Sequence, residues 1–273
     1  MLSAHSVLVA LDENTVNCII DAFSFVTGRI EPWSIVETLT KQKTETQIRA
    51  RSIEQKRSRI GPPLSTSIPG TDVWTLFDRY LSFGLNISSQ IKRTLSSYVR
   101  AVIASGASAL DVEELVLAVS IESLLRTQFH ELRVENGNID TQINVVAELL
   151  NSSSDLDEQF RSRIYGAMQA MKTPRAKDHL MALEKLGLID PNLVKTYGTF
   201  RGKSAHGVGV NWAEIESHIK QSSAMLVLFY QLIFLRIGYQ GPYTDYGSSG
   251  YPEKMFKGNL DQAIKDCVGL ESR

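Results

Sequence analysis

Residues 224–237, AMLVLFYQLIFLRI, are the most apolar helical stretch of the chain. A helix that is hydrophobic all round needs apolar neighbours on every side. The run is shorter than the roughly 20 residues of a membrane span. It also carries Gln231 and Arg236, so it reads as a buried helix of a bundle. The residues ahead of it are polar, and residues 212–237 together form one long helix with an exposed end and a deeply packed end. Asn211 followed three residues later by Glu214 has capping-box spacing at its start.

Most of the remaining chain supplies helices to surround it. TDVWTLFDRYLSFGL sets Val73, Trp74, Phe77, Tyr80 and Leu81 at helical spacing with Thr71 as a cap, and residues 88–104 follow up to Gly106. Within residues 111–132, Leu115, Val119, Glu122 and Phe129 share one side, while Leu117, Ile121, Leu124, Leu125 and Gln128 broaden the packed surface. Residues 138–150, 157–171 and 175–187 read as further helices, the last two broken near Thr173 and Pro174. Asp190 then caps a helix with Pro191 at its first position, where the missing N–H costs nothing. Leu193, Val194 and Tyr197 are its apolar side with Phe200 close by, and Gly207 and Gly209 end it around His206.

The first 39 residues read as short helices, one ending at Gly28 and a second opened by IEPWSIVETL with Trp33 on its buried side. Residues 41–59 hold seven bases and two acids, which reads as an exposed arm or a solvated helix. GPPLSTSIPG is a turn-rich connector and the best internal boundary. Residues 238–252 place four tyrosines among glycines and prolines, an ordered loop anchored by its rings, and a short amphipathic helix follows around 257–267. The expected fold is therefore all-α. Residues 1–70 form an N-terminal helical extension with the basic segment and linker, 71–250 a helical region with its bundle core at about 110–250, and 251–273 a tail.

A net charge of −1 gives no whole-chain argument for nucleic acid, yet the charges are segregated. Residues 110–158 carry eleven acids against two bases, and residues 161–206 nine bases against three acids, so a positive surface can sit on a neutral protein. Cys18 and Cys267 are far apart and without a metal-ligand pattern, which reads as two reduced thiols in a cytoplasmic protein. The chain has no phosphate loop, dinucleotide fingerprint, H-E-x-x-H zinc site or serine-hydrolase elbow, so no cofactor or metal is expected. His5, His130, His179 and His218 are dispersed and read as structural or surface residues.

Arg201 and His206 remain. On a helix they stand about 7.5 Å apart along the axis and roughly 140° around it, able to border one cleft. Arginine supplies a permanent cation suited to phosphate, and histidine exchanges a proton near neutral pH. Glu122, a polar position among Val119, Ile121, Leu124 and Leu125, either pairs with Arg201 or faces solvent with Arg126 one turn on.

The run Arg201-Gly202-Lys203-Ser204-Ala205-His206 resembles the R-x4-6-H motif of the HEPN superfamily. The blocks SIESLL at 120–125, ALEKLGLIDPNLVKTYGTFRGKSAHG at 182–207 and IGYQGPYTDY at 237–246 look like its ApeA-like branch, over about residues 110–250. The resemblance implies a HEPN-like helical bundle with additional N-terminal helices that forms a homodimer and brings two motifs to one cleft. It implies a metal-independent endoribonuclease in phage defence or a toxin-like response, with RNA as substrate and a defence or antitoxin partner; that no membrane is expected follows from the shortness of the apolar run 224–237. Arg201 and His206 would be catalytic, with Glu122, Lys203 and Ser204 supporting. Other members have lost activity and serve as RNA-binding or protein-interaction modules. Gly202 stands where a polar residue is frequent, and ApeA-like proteins often carry an N-terminal β-rich region that is not visible here.

Overall fold

The computed structural model describes residues 12–30, 35–39, 44–48, 58–65, 70–130, 132, 139–153, 156–205 and 212–270. These residues are mostly helical, as the periodicity requires. The elements run α1 (Glu13–Thr27), β1 (Ile35–Leu39), β2 (Thr44–Ile48), α2 (Gly70–Asn86), α3 (Ser89–Ser105) and α4 (Leu110–Gln128). They continue with α5 (Ile139–Ser152), α6 (Glu158–Lys172), α7 (Ala176–Lys185), α8 (Pro191–Ala205) and α9 (Ile215–Ile237). A 3-10 turn at Trp212–Glu214 leads into α9, and β3 (Gly241–Thr244), β4 (Glu253–Phe256) and α10 (Leu260–Leu270) close the order.

The apolar run of α9 is the centre of the molecule. From Met225 to Leu235 every side chain is buried, and Leu228, Leu232, Ile233 and Phe234 are fully excluded from solvent. Burial of each large apolar side chain contributes roughly 1.5–3 kcal/mol. α4 lies along α9 and also packs against α3, α7 and α8, so these two helices share the core. No helix among the described residues is long and apolar enough to cross a membrane.

α1 belongs to the same core. Asp12 caps it by accepting a hydrogen bond from Thr15 N at 2.6 Å, and Phe25 stacks on Tyr80 and meets Tyr230 and Phe234 edge-on. Gly28 ends the helix in the left-handed region at φ 63°, and a Cβ there would sit 2.8 Å from Pro62 N, so glycine meets both demands. The described part of the turn-rich connector is tied into the core rather than hanging free. Ile60 and Leu64 are buried, Tyr230 donates to Gly61 O at 2.6 Å, and Tyr246 donates to Pro62 O at 2.8 Å.

Several expectations change. IVETL is strand β1 rather than helix, and TETQI within the basic segment is strand β2, paired antiparallel from Ile35 opposite Ile48 to Leu39 opposite Thr44. The β-branched residues Ile35, Val36, Thr38, Thr44, Thr46 and Ile48 are what a pleated ribbon accommodates best. The tyrosine-rich loop contains β3, which pairs antiparallel with β4. Helix α2 begins at Gly70, which places Thr71 in its first turn rather than at its cap. On α4, Leu117, Ile121, Leu124, Leu125 and Gln128 are buried as expected, but Leu115 and Val119 are 46% and 51% exposed. The cause is a core-facing stripe that follows the α7–α8–α9 side, leaving the Leu115–Val119 side uncovered. Asn211 and Trp33 lie outside the described residues.

Candidate functional site

The site is built where α8 lies against α4. Asp190 Oδ1 accepts from Asn192 N at 2.7 Å, capping α8 as its sequence requires. Val194, Tyr197 and Phe200 then recur every third residue and are buried, which locks the helix face against the core. Arg201 follows one position after Phe200 and emerges at the rim, its side chain 51% exposed.

On α4, Glu122 stands between buried Ile121 and Leu124, its own side chain only 22% exposed. Its two oxygens take one arginine each. Arg201 Nε donates to Oε2 at 2.7 Å, and Arg126 Nη2 lies 2.9 Å from Oε1. The two alternatives open in the sequence are thus both realised. The Nε bond sets the plane of the Arg201 guanidinium without using its terminal nitrogens, the ones that serve a bidentate phosphate contact. The hydrogen bond and charge of Glu122 hold Arg201 above its ordinary arginine range.

Two guanidinium groups around one carboxylate leave a net positive charge at this spot. Beneath it, the Tyr197 hydroxyl is buried and has no hydrogen-bond partner among the described residues. Burial pushes that phenol up to about 12, helped by the Glu122 charge and opposed by Arg201 and Arg126, so it stays protonated. His179 of α7 is buried beside this cluster and held below the ordinary histidine range by burial, with His130 and Arg126 adding to the effect against Asp178. His130 is exposed at the end of α4, its Nδ1 3.0 Å from Thr127 O.

His206 lies outside the described residues, and the side chains of Lys203 and Ser204 are likewise not described. Gly202 is exposed, and a Cβ placed on it would meet nothing. What sequence reasoning missed is the simultaneous role of Arg126. The i,i+4 spacing from Glu122 was a usable signal, but it reads equally as a solvated helix pair.

A second polar cluster joins α4 to α9 inside the core. Glu114 Oε1 lies 2.9 Å from His218 Nδ1 and accepts from Ser222 Oγ at 3.2 Å, all three residues being buried. The serine bonds the carboxylate and not the imidazole, so the trio has the wiring of a structural staple, not of an activated nucleophile. Its neighbour Glu113 accepts from Arg59 Nε and Nη2 at 3.0 and 2.8 Å. Burial still holds the Glu113 carboxyl above its ordinary range against that arginine. Cys18 is buried and free. No group of three or more His, Cys, Asp or Glu able to hold a metal ion occurs among the described residues.

No family model matches this chain, and no curated protein or solved structure matches it significantly.

Proposed function

We propose that this protein is a metal-independent endoribonuclease with a HEPN-like bundle, acting in phage defence or a toxin-like response. The observation that supports it is the half-exposed Arg201 guanidinium, set by Glu122, on the last turns of the helix that leads to His206.

In this reading an RNA 2′-oxygen attacks the adjacent phosphorus and the 5′-oxygen leaves, giving a 2′,3′-cyclic phosphate. His206 carries the proton taken from the 2′-hydroxyl or delivered to the 5′-oxygen. Arg201 neutralises the charge gathering on the nonbridging oxygens. The attack is intramolecular and needs no metal-bound water. A second copy supplies the other Arg201 and His206. Val112, Leu115 and Val119 form an exposed apolar stripe on α4 that continues through Glu122 to Arg126, a surface leading straight to the arginines for that copy to cover. Lys203 and Ser204 extend the phosphate contacts.

The bare helix surface at Gly202 favours a second reading, a catalytically inactive RNA-binding or protein-interaction module. One assay separates them: cleavage of single-stranded RNA in EDTA by wild type, Arg201→Ala and His206→Ala. The nuclease reading expects cyclic-phosphate ends from wild type, loss of at least about a hundredfold in either variant, and no cleavage of DNA. RNA binding with no cleavage that depends on position 206 would leave the module.

A further inference from the structure

We propose that Arg126 is a second phosphate grip, holding the phosphodiester next to the one that Arg201 takes on the same single strand. The proposal rests on the reading of RNA as the ligand, but not on its cleavage.

Arg59 and Arg100 are each matched to a buried carboxylate of their own. Arg59 spends Nε and Nη2 on Glu113, and Arg100 spends the same two nitrogens on Asp21. Glu122 differs, because it serves two arginines and takes one nitrogen from each. A carboxylate balances one guanidinium, so the second charge is left over, and both side chains are about half exposed. Arg126 gives Nη2 alone, which leaves its Nε and Nη1 donors unspent among the described residues. Its guanidinium is nevertheless held in place, since Glu122 one turn earlier on α4 is itself held by Arg201 from α8. A planar fork with spare donors is the group that suits phosphate oxygens.

The floor beside this arginine is polar and incomplete. Tyr197 is 1% and His179 5% exposed, and neither the Tyr197 hydroxyl nor His179 Nδ1 has a hydrogen-bond partner among the described residues. Both lie close enough to Arg126 for its charge to act on them. A buried polar atom without a partner is rare, and each calls for an explanation such as a water or ion that completes it. Two of them converge on Arg126. His130, exposed just past the end of α4, acts on His179 as Arg126 does. The cationic edge therefore runs from Arg201 across Arg126 to the end of α4. Asp178, the acid beside His179 on α7, is engaged by the Arg175 backbone and side chain. A single strand repeats its phosphates along a flexible chain, so two fixed cations on adjoining helices can take two of them.

Fluorescence anisotropy with a labelled single-stranded DNA of about 12 nucleotides, from about 50 to 200 mM salt, tests this. DNA lacks the 2′-hydroxyl, so binding is read whether or not the protein cuts RNA. The logarithm of the binding constant should fall with that of the salt concentration less steeply in Arg126→Gln than in wild type. The expected difference in slope is about 0.7, the share of one phosphate. Kd at about 50 mM salt should rise about tenfold. Arg126→Lys should keep the slope and lose part of the affinity. Arg93→Gln, at an exposed position of α3, should leave the slope at its wild-type value. Circular dichroism verifies the fold, which depends little on a half-exposed pair.

Equal slopes in wild type and Arg126→Gln overturn the proposal even where RNA is cut, because a role exercised only through Glu122 would alter cleavage and not the slope. So does an equal loss in Arg93→Gln, a wild type that does not bind the strand at low salt, or a preference for poly-glutamate over the strand. The expected slopes with RNA left uncut by wild type uphold the grip and dismiss the nuclease instead.

Discussion

Glu122 and Arg201 are 79 residues apart in the chain and meet through a 2.7 Å hydrogen bond from Nε to Oε2. That bond fixes the direction of the cation on which the proposed chemistry depends. The carboxylate is therefore a positioning group, while the arginine is the one that would touch phosphate.

Replacing Glu122 by Gln keeps the size of the side chain and removes its charge. Both arginines then lose their ionic anchor while the local positive charge rises. The expected outcome is a fall in kcat of about tenfold or more with KM unchanged or lower, because a misaligned cation costs the transition state more than the ground state. The pairs are half-exposed, so stability should change by less than about 1 kcal/mol. Steady-state cleavage kinetics and urea denaturation check both; a raised KM with kcat intact would remove Glu122 from this role.

The Glu114–His218 pair is a different case, because both partners are buried. Glu114→Ala should cost about 3–5 kcal/mol by leaving His218 and Ser222 without their acceptor. The double variant Glu114→Leu with His218→Leu should recover much of that loss, since an apolar pair replaces a desolvated one. Equilibrium urea unfolding reads both values, and a loss below about 1 kcal/mol in the single variant would show that the staple is unimportant.

His179 sets a pH dependence. Its folded imidazole is held below the ordinary range by burial, so the unfolded chain binds its proton more readily. Stability from this group is complete above about pH 6.5, the unfolded value, and is lost as pH falls from there through the folded one. Thermal melting between pH 7.5 and 5 should show a smaller decline in His179→Leu than in wild type. Parallel declines would mean that other groups carry the acid sensitivity.

Gly202→Ala tests the bare surface of α8. A Cβ there meets nothing, so the substitution should gain about 1 kcal/mol of helix propensity. Chemical denaturation measures it, and a loss of stability would mean that the glycine is required for close packing.

Much of the helical layout was legible in the chain itself. The 3.6-residue periodicity, the cap at Asp190, the stop at Gly28 and the unbroken apolar run of α9 are local signals, each carried by residues within a few positions of one another. The β1–β2 ribbon was misread because short segments that mix Ile, Val and Thr with charge satisfy helical and extended patterns equally well.

What the sequence by itself determined is where most of the helices form and which of them had to be innermost. Only the tertiary structure decided that Leu115 and Val119 stay exposed, that Glu122 takes two arginines at once, and that Gly61 to Ser65 is bonded to the far end of the chain through Tyr230, Tyr246 and Thr244. The reason is physical. Periodicity records which face of a helix avoids water, but a half-buried charge is satisfied by whichever opposite group the packing of distant helices brings within reach, and no local pattern carries that choice.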